Sequence, residues 1–85
     1  MMEVGKCYIV TEVTGMIYVG RCIETPGPHT VVLEEASWVS ETGQFLSTFL
    51  KNGRTDNMEI EPVGIRCCHW AGWGPWNHPL LKERV

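Results

Sequence analysis

The stretch Lys6-Cys7-Tyr8-Ile9-Val10-Thr11-Glu12-Val13-Thr14, stopped by Gly15 and resumed as Met16-Ile17-Tyr18-Val19-Gly20-Arg21-Cys22-Ile23-Glu24, decides the fold. Both halves are rich in β-branched and aromatic residues, which suit a pleated, half-buried surface, and the glycine between them punctuates. Two strands are expected, 6–14 and 16–24. Gly20 inside the second points to a bulge or a close backbone approach. Thr25-Pro26-Gly27-Pro28 reads as a turn, since proline cannot donate to a strand ladder. Thr30–Glu35 is the expected third strand, apolar until its paired glutamates.

After Trp38 the period changes. Phe45, Leu46, Phe49 and Leu50 fall on one face of a short helix. Ser40 or Thr42 is placed to cap its start, and Gly53 stands where a glycine follows a helix C-terminus. Gly43 near its start weakens this helix by about 1 kcal/mol relative to alanine. Asn57–Val63 then alternates, with Met58 and Ile60 on one face and Glu59 and Glu61 on the other, and Gly64–Trp70 reads as a fifth strand. From Ala71 to Val85 the chain is Gly-, Pro- and Trp-rich and is expected to be irregular. The expected fold class is mainly β with one short helix (α+β): a small bent antiparallel sheet or SH3-like barrel of about five strands.

Eighty-five residues make one domain, 1–85. Seven Lys and Arg against ten Asp and Glu leave a net charge of −3. That excludes a basic surface built to grip duplex nucleic acid. The apolar runs are far shorter than a bilayer requires, so no membrane partner is expected. Met1–Lys6 carries an early acid and no continuous apolar core, so the reading expects no secretory signal and a cytoplasmic location. Four cysteines in a reducing compartment are then expected to be free thiols in the sheet. A chain this short forms a minimal core, and with disulfides disfavoured a homo-oligomer is the expected compensation.

The sulfur and imidazole groups do not form a zinc signature. Cys67-Cys68-His69 is contiguous, Cys7 and Cys22 lie far upstream, and no C-x₂₋₄-C pair exists. On a strand Cys67 and His69 share a face, about 6.6–7 Å apart, too far for a thiolate–imidazolium pair. No nucleophile elbow or phosphate-binding loop occurs, and Glu34-Glu35, Glu59 and Glu61 read first as solvated strand faces. Neither an enzyme nor a cofactor or metal is expected. The expectation is a binder.

Trp70, Trp73 and Trp76 recur every third residue, a period that suits an extended polyproline-like course with the indoles along one edge. They have two readings: area for a small core or subunit interface, or a stacking surface for a planar ligand. Arg21 and Arg66 would supply bidentate phosphate partners in the second reading, and surface salt bridges with neighbouring glutamates in the first.

Several blocks occur in a familiar order: Tyr18-Val19-Gly20-Arg21, Leu33-Glu34-Glu35-Ala36-Ser37-Trp38-Val39 running to Thr42-Gly43-Gln44-Phe45, Glu59-Ile60-Glu61-Pro62, and Trp76-Asn77-His78-Pro79-Leu80. Together they resemble a group of short phage and prophage proteins of unknown function, over most of the chain. The stretch Cys67–Trp73 departs from the glycine, alanine and β-branched pattern expected there. The resemblance implies a phage-encoded protein acting in the host bacterial cytoplasm, and by analogy of type a counter-defence sponge (anti-CBASS or anti-Thoeris type) that sequesters a small nucleotide immune signal. No residue roles carry over from it. The candidate ligand-binding set is Tyr18, Arg21, Trp38, Arg66, Trp73, Trp76 and His78. The alternatives are a protein-interaction module docking through the Trp-rich tail, and a virion component.

Overall fold

The computed structural model describes residues 1–43, 46–54 and 57–81. Four strands and one helix follow in order: β1 Cys7–Glu12, β2 Ile17–Gly27, β3 Thr30–Glu41, α1 Leu46–Asn52 and β4 Glu59–Pro75. All neighbours are antiparallel and the sheet closes into a barrel, β1-β2-β3-β4. Closure depends on β4, which pairs with β3 along Glu59–His69 and then with β1 along Trp70–Pro75.

The opening stretch is buried on both faces, which is why it lacks clean alternation. Tyr8 and Val10 of β1 and Tyr18 and Cys22 of β2 point into the barrel with Val31, Leu33 and Cys68. Ile9 and Val19, between them, point outward into a second core with Val39, Phe49, Ile60 and Trp76. One small sheet thus supports two apolar layers, the barrel interior and an outer layer roofed by α1 and the C-terminal segment 76–81.

Three irregularities re-aim side chains between the layers. Glu35 has φ 49° at a register shift between Leu33 and Ala36, so both of those face inward despite odd spacing. Gly64 has φ 73° opposite the same shift, and β4 turns there from outward Ile60 to inward Cys68. A third shift at Thr11/Glu12 skips Ala71, so Trp70 and Trp73 both pack against the barrel interior.

These features correct the expected elements. The fourth and fifth strands are one, because Gly64 makes a bulge and not a break. The irregular segment begins at Trp76, since Ala71–Pro75 completes the barrel. The third strand does not stop at Glu35; the bulge lets it continue to Glu41. Thr25-Pro26-Gly27 lies in β2, where the ladder skips from the Glu24–Val32 pair to the Gly27–Thr30 pair and so asks no N–H of Pro26.

Gly20 is the expected close approach: an added Cβ would lie 2.9 Å from Leu33 Cβ and 3.1 Å from Ala36 Cβ. The helix forms, and Gly53 ends it at φ 74° with its N–H on the Phe49 carbonyl at 2.8 Å. Phe49 is fully buried, whereas Leu46 and Leu50 stay partly exposed, because the short helix buries Phe49 alone against the sheet. Phe45 lies outside the described residues. Ser40 does not cap α1; it sits in β3 and donates to the Glu59 carbonyl.

Candidate functional site

Three of the sequence-derived candidates meet at one region of the barrel. Tyr18 on β2 stands opposite Trp38 on β3, and the Arg66 guanidinium from β4 lies over the Tyr18 ring, 4.9 Å from its centroid. Arg66 Nη2 donates to Glu12 Oε1 at 3.5 Å. Glu12 is buried and Arg66 is half exposed, so the carboxylate lies behind the cation. A guanidinium stacked on an aromatic ring and tethered by a carboxylate is oriented before any ligand arrives.

Burial sets the protonation here. Desolvation raises the Tyr18 hydroxyl above its ordinary pKa, opposed by Arg66 and reinforced by Glu12 and Cys68. Cys68, next to them in the interior, is pushed up to about 12, mainly by desolvation, with Glu12 adding to the shift and Arg66 opposing it. It is therefore a thiol at neutral pH, not a thiolate nucleophile. Burial likewise raises Cys22. Arg66 is held as a cation, its pKa raised first by Tyr18 and further by Glu12, against desolvation.

The other candidates go elsewhere. Arg21 is bound by two carboxylates, Glu34 at 3.2 Å and Glu35, whose bulged backbone brings it alongside. Trp73 packs edge-on against Tyr8, centroids 5.4 Å apart, and against Trp70 at 6.4 Å. Trp76 is buried in the outer core; its indole N–H donates to the Pro79 carbonyl at 3.0 Å and its ring lies 5.0 Å from Phe49. His78 Nε2–H donates to the Leu50 carbonyl at 3.0 Å, and the ring packs over Gly53. The three spaced indoles do not share an edge as a polyproline course would require. The β-bulge at Ala71 puts two on one face and the third on the other.

The Trp76–Leu80 block is thus a strap that ties the tail to α1. Ser37, fully buried, extends it by donating to the Leu81 carbonyl at 2.7 Å.

None of the four cysteines forms a disulfide. Cys22 and Cys68 are buried, Cys67 and His69 are exposed on the opposite face as alternation requires, and Cys7 is half buried. Among the described residues no three His, Cys, Asp or Glu side chains converge as a ligand set.

A groove of about 390 Å³ lies between α1 and the β1–β4 junction, lined by Ile9, Thr11, Leu46, Leu50, Trp73 and Pro75 among others. Among the described residues no charged side chain lines it. The sequence reading missed both Glu12 and this groove. Glu12 was accessible, because it shares the period-two face of Tyr8 and Val10. The groove was not, because it joins a helix to a strand far away in sequence.

No helix among the described residues is long and apolar enough to cross a membrane. No family model matches the chain, and no curated protein is significantly similar to it.

Proposed function

We propose that the protein is a non-enzymatic binding protein, phage-encoded, that sequesters a small nucleotide immune signal (a cyclic oligonucleotide or an ADP-ribose derivative) within a homo-oligomer. The observation that carries this reading is the half-exposed Arg66 guanidinium held over Tyr18 beside Trp38. The cation offers a phosphate partner, and the half-buried Trp38 indole opposite Tyr18 offers a stacking face for a base. The weak net charge of −3 fits a compact anion better than a long polyanion. The buried Cys68 thiol offers no thiolate nucleophile at neutral pH, which supports sequestration over turnover.

The test is calorimetric titration with a panel of cyclic di- and trinucleotides and cyclic ADP-ribose products, followed by denaturation and recovery of the bound species. The expected result is micromolar or tighter binding, intact release, and loss of binding in Arg66→Gln. No binding by any member, or release of a cleaved product, overturns the proposal.

A second reading rests on the apolar groove between α1 and β4, which suits an aliphatic or aromatic side chain of a protein partner. A stoichiometric host protein recovered with the wild type and lost in Leu50→Lys favours that reading.

A further inference from the structure

β4 is paired along both edges only near its middle. β3 occupies one edge from Glu59 to His69, and β1 takes the other edge only from Trp70 onward, with Val13 N–H reaching back to the His69 carbonyl. Among the described residues, no strand runs along the second edge of residues 62–68. The same segment is open on its faces: Pro62 to Cys67 are all exposed, Ile65 at 72% and Val63 at 38%. Among the described residues a second open edge runs along Ile23–Gly27 of β2, but there Pro26 and the skipped ladder before Gly27 interrupt it. An open edge carrying exposed β-branched residues is a template for adding a strand.

We propose that this edge pairs, antiparallel and about a two-fold axis near Gly64, with the same edge of a second copy. Three observations select that occupant. A two-fold antiparallel pair is self-complementary, so each edge satisfies the N–H and C=O groups of the other. The strip is acidic at its start, Glu59 and Glu61, and basic at Arg66. Antiparallel pairing brings the acidic end of each copy beside the basic end of the other, whereas a parallel copy would set like against like. It also places Val63 opposite Ile65 of the second copy and covers the strongly exposed isoleucine. Pro62, which has no N–H, ends the ladder on the side where β4 turns toward the outer core.

The interface specifies the oligomer in the proposed function and rests on that part of it alone. Arg66, over Tyr18, would then stand at the subunit boundary, where a ligand meets groups from two chains.

The test is native mass spectrometry and light scattering of the untagged protein at micromolar concentration. Wild type is expected at twice the 9.6 kDa chain mass. The double variant Val63→Lys/Ile65→Lys is expected at the chain mass with an unchanged circular dichroism spectrum, since both positions are exposed. Val4→Lys, at a site 69% exposed beside β2 and away from this edge, is expected to remain dimeric. A dimer that survives the double variant places the interface elsewhere and overturns the proposal while the oligomer stands. A monomeric wild type overturns both. Nucleotide titration of the same samples is read separately, so loss of binding without loss of dimer counts only against the ligand reading.

Discussion

Replacing Gly53 with alanine probes the joint between α1 and the C-terminal strap. Gly53 has φ 74°, in the left-handed region, where a Cβ costs about 1–2 kcal/mol. The same Cβ would lie 2.8 Å from His78 Cγ and 3.0 Å from Nδ1, so the imidazole must move. Moving it breaks the 3.0 Å bond from Nε2–H to the Leu50 carbonyl, a further loss of ~1 kcal/mol. Gly53→Ala is expected to cost about 2–3 kcal/mol in all. In an 85-residue domain each kcal/mol lowers the melting temperature by about 4–8 °C. The two contributions separate in a double-mutant cycle with His78→Ala, measured by urea unfolding. Without the imidazole only the backbone strain remains, so Gly53→Ala should cost ~1 kcal/mol less in that background. An equal loss in both backgrounds would mean that His78 does not pack over Gly53. No loss in either would refute the left-handed cap itself.

A glycine pair separates close approach from mere occupancy of a strand. Gly20→Ala forces Cβ against Leu33 and Ala36 and is expected to cost about 1–3 kcal/mol, while Gly72→Ala meets nothing within 4 Å and should stay within about 0.5 kcal/mol of wild type; similar urea midpoints for the two would sink the argument. Cys68 gives a pH dependence of defined sign. Its thiol rises from 9.0 to about 12 on folding, so the native state keeps a proton that the unfolded chain releases. That stabilisation is intact below pH 9 and is lost as pH rises toward 12, by up to about 1.4 kcal/mol per pH unit. Cys22 and Tyr18, also raised, act with the same sign. Cys68→Ala should therefore reduce the alkaline slope without removing it, and an unchanged slope in unfolding experiments between pH 8 and 10.5 would contradict the buried thiol.

Local chemistry made much of the fold legible. The β-branched runs became strands, Gly20 a close approach, Gly53 a helix terminator, and Met58/Ile60 against Glu59/Glu61 a covered and an exposed face. The misreadings share one cause. A β-bulge adds a residue without ending a strand, so Glu34-Glu35 looked like a stop and Gly64 like a gap, when each only turns the chain over. The Trp70–Trp73–Trp76 spacing misled in the same way, because the slip at Ala71 converts an odd interval into a shared face. For the candidate site, Tyr18, Trp38 and Arg66 do meet, but their meeting depends on barrel closure, which no local pattern encodes. Arg21 is paired with Glu34 and Glu35 through the Glu35 backbone conformation, a left-handed φ that sequence does not announce for a glutamate.

The two-layer construction narrows where function can reside. A chain of this size gains most by burying both faces of its sheet, and the Trp76–Leu80 block is consumed in doing so. Its distinctiveness in sequence therefore reports a structural constraint, the covering of Ile9, Val19 and Val39. Among the features the construction leaves outward are the Arg66 guanidinium, the open edge of β4, and the groove beside α1. The first two are contiguous, since Arg66 belongs to the open segment itself. Any partner that adds a strand there must come up against the Arg66 guanidinium stacked on Tyr18, and any anion bound there must sit beside the added strand. Self-association and anion binding are in that case coupled through one residue. Ligand should tighten the dimer by the same factor by which dimerisation tightens ligand.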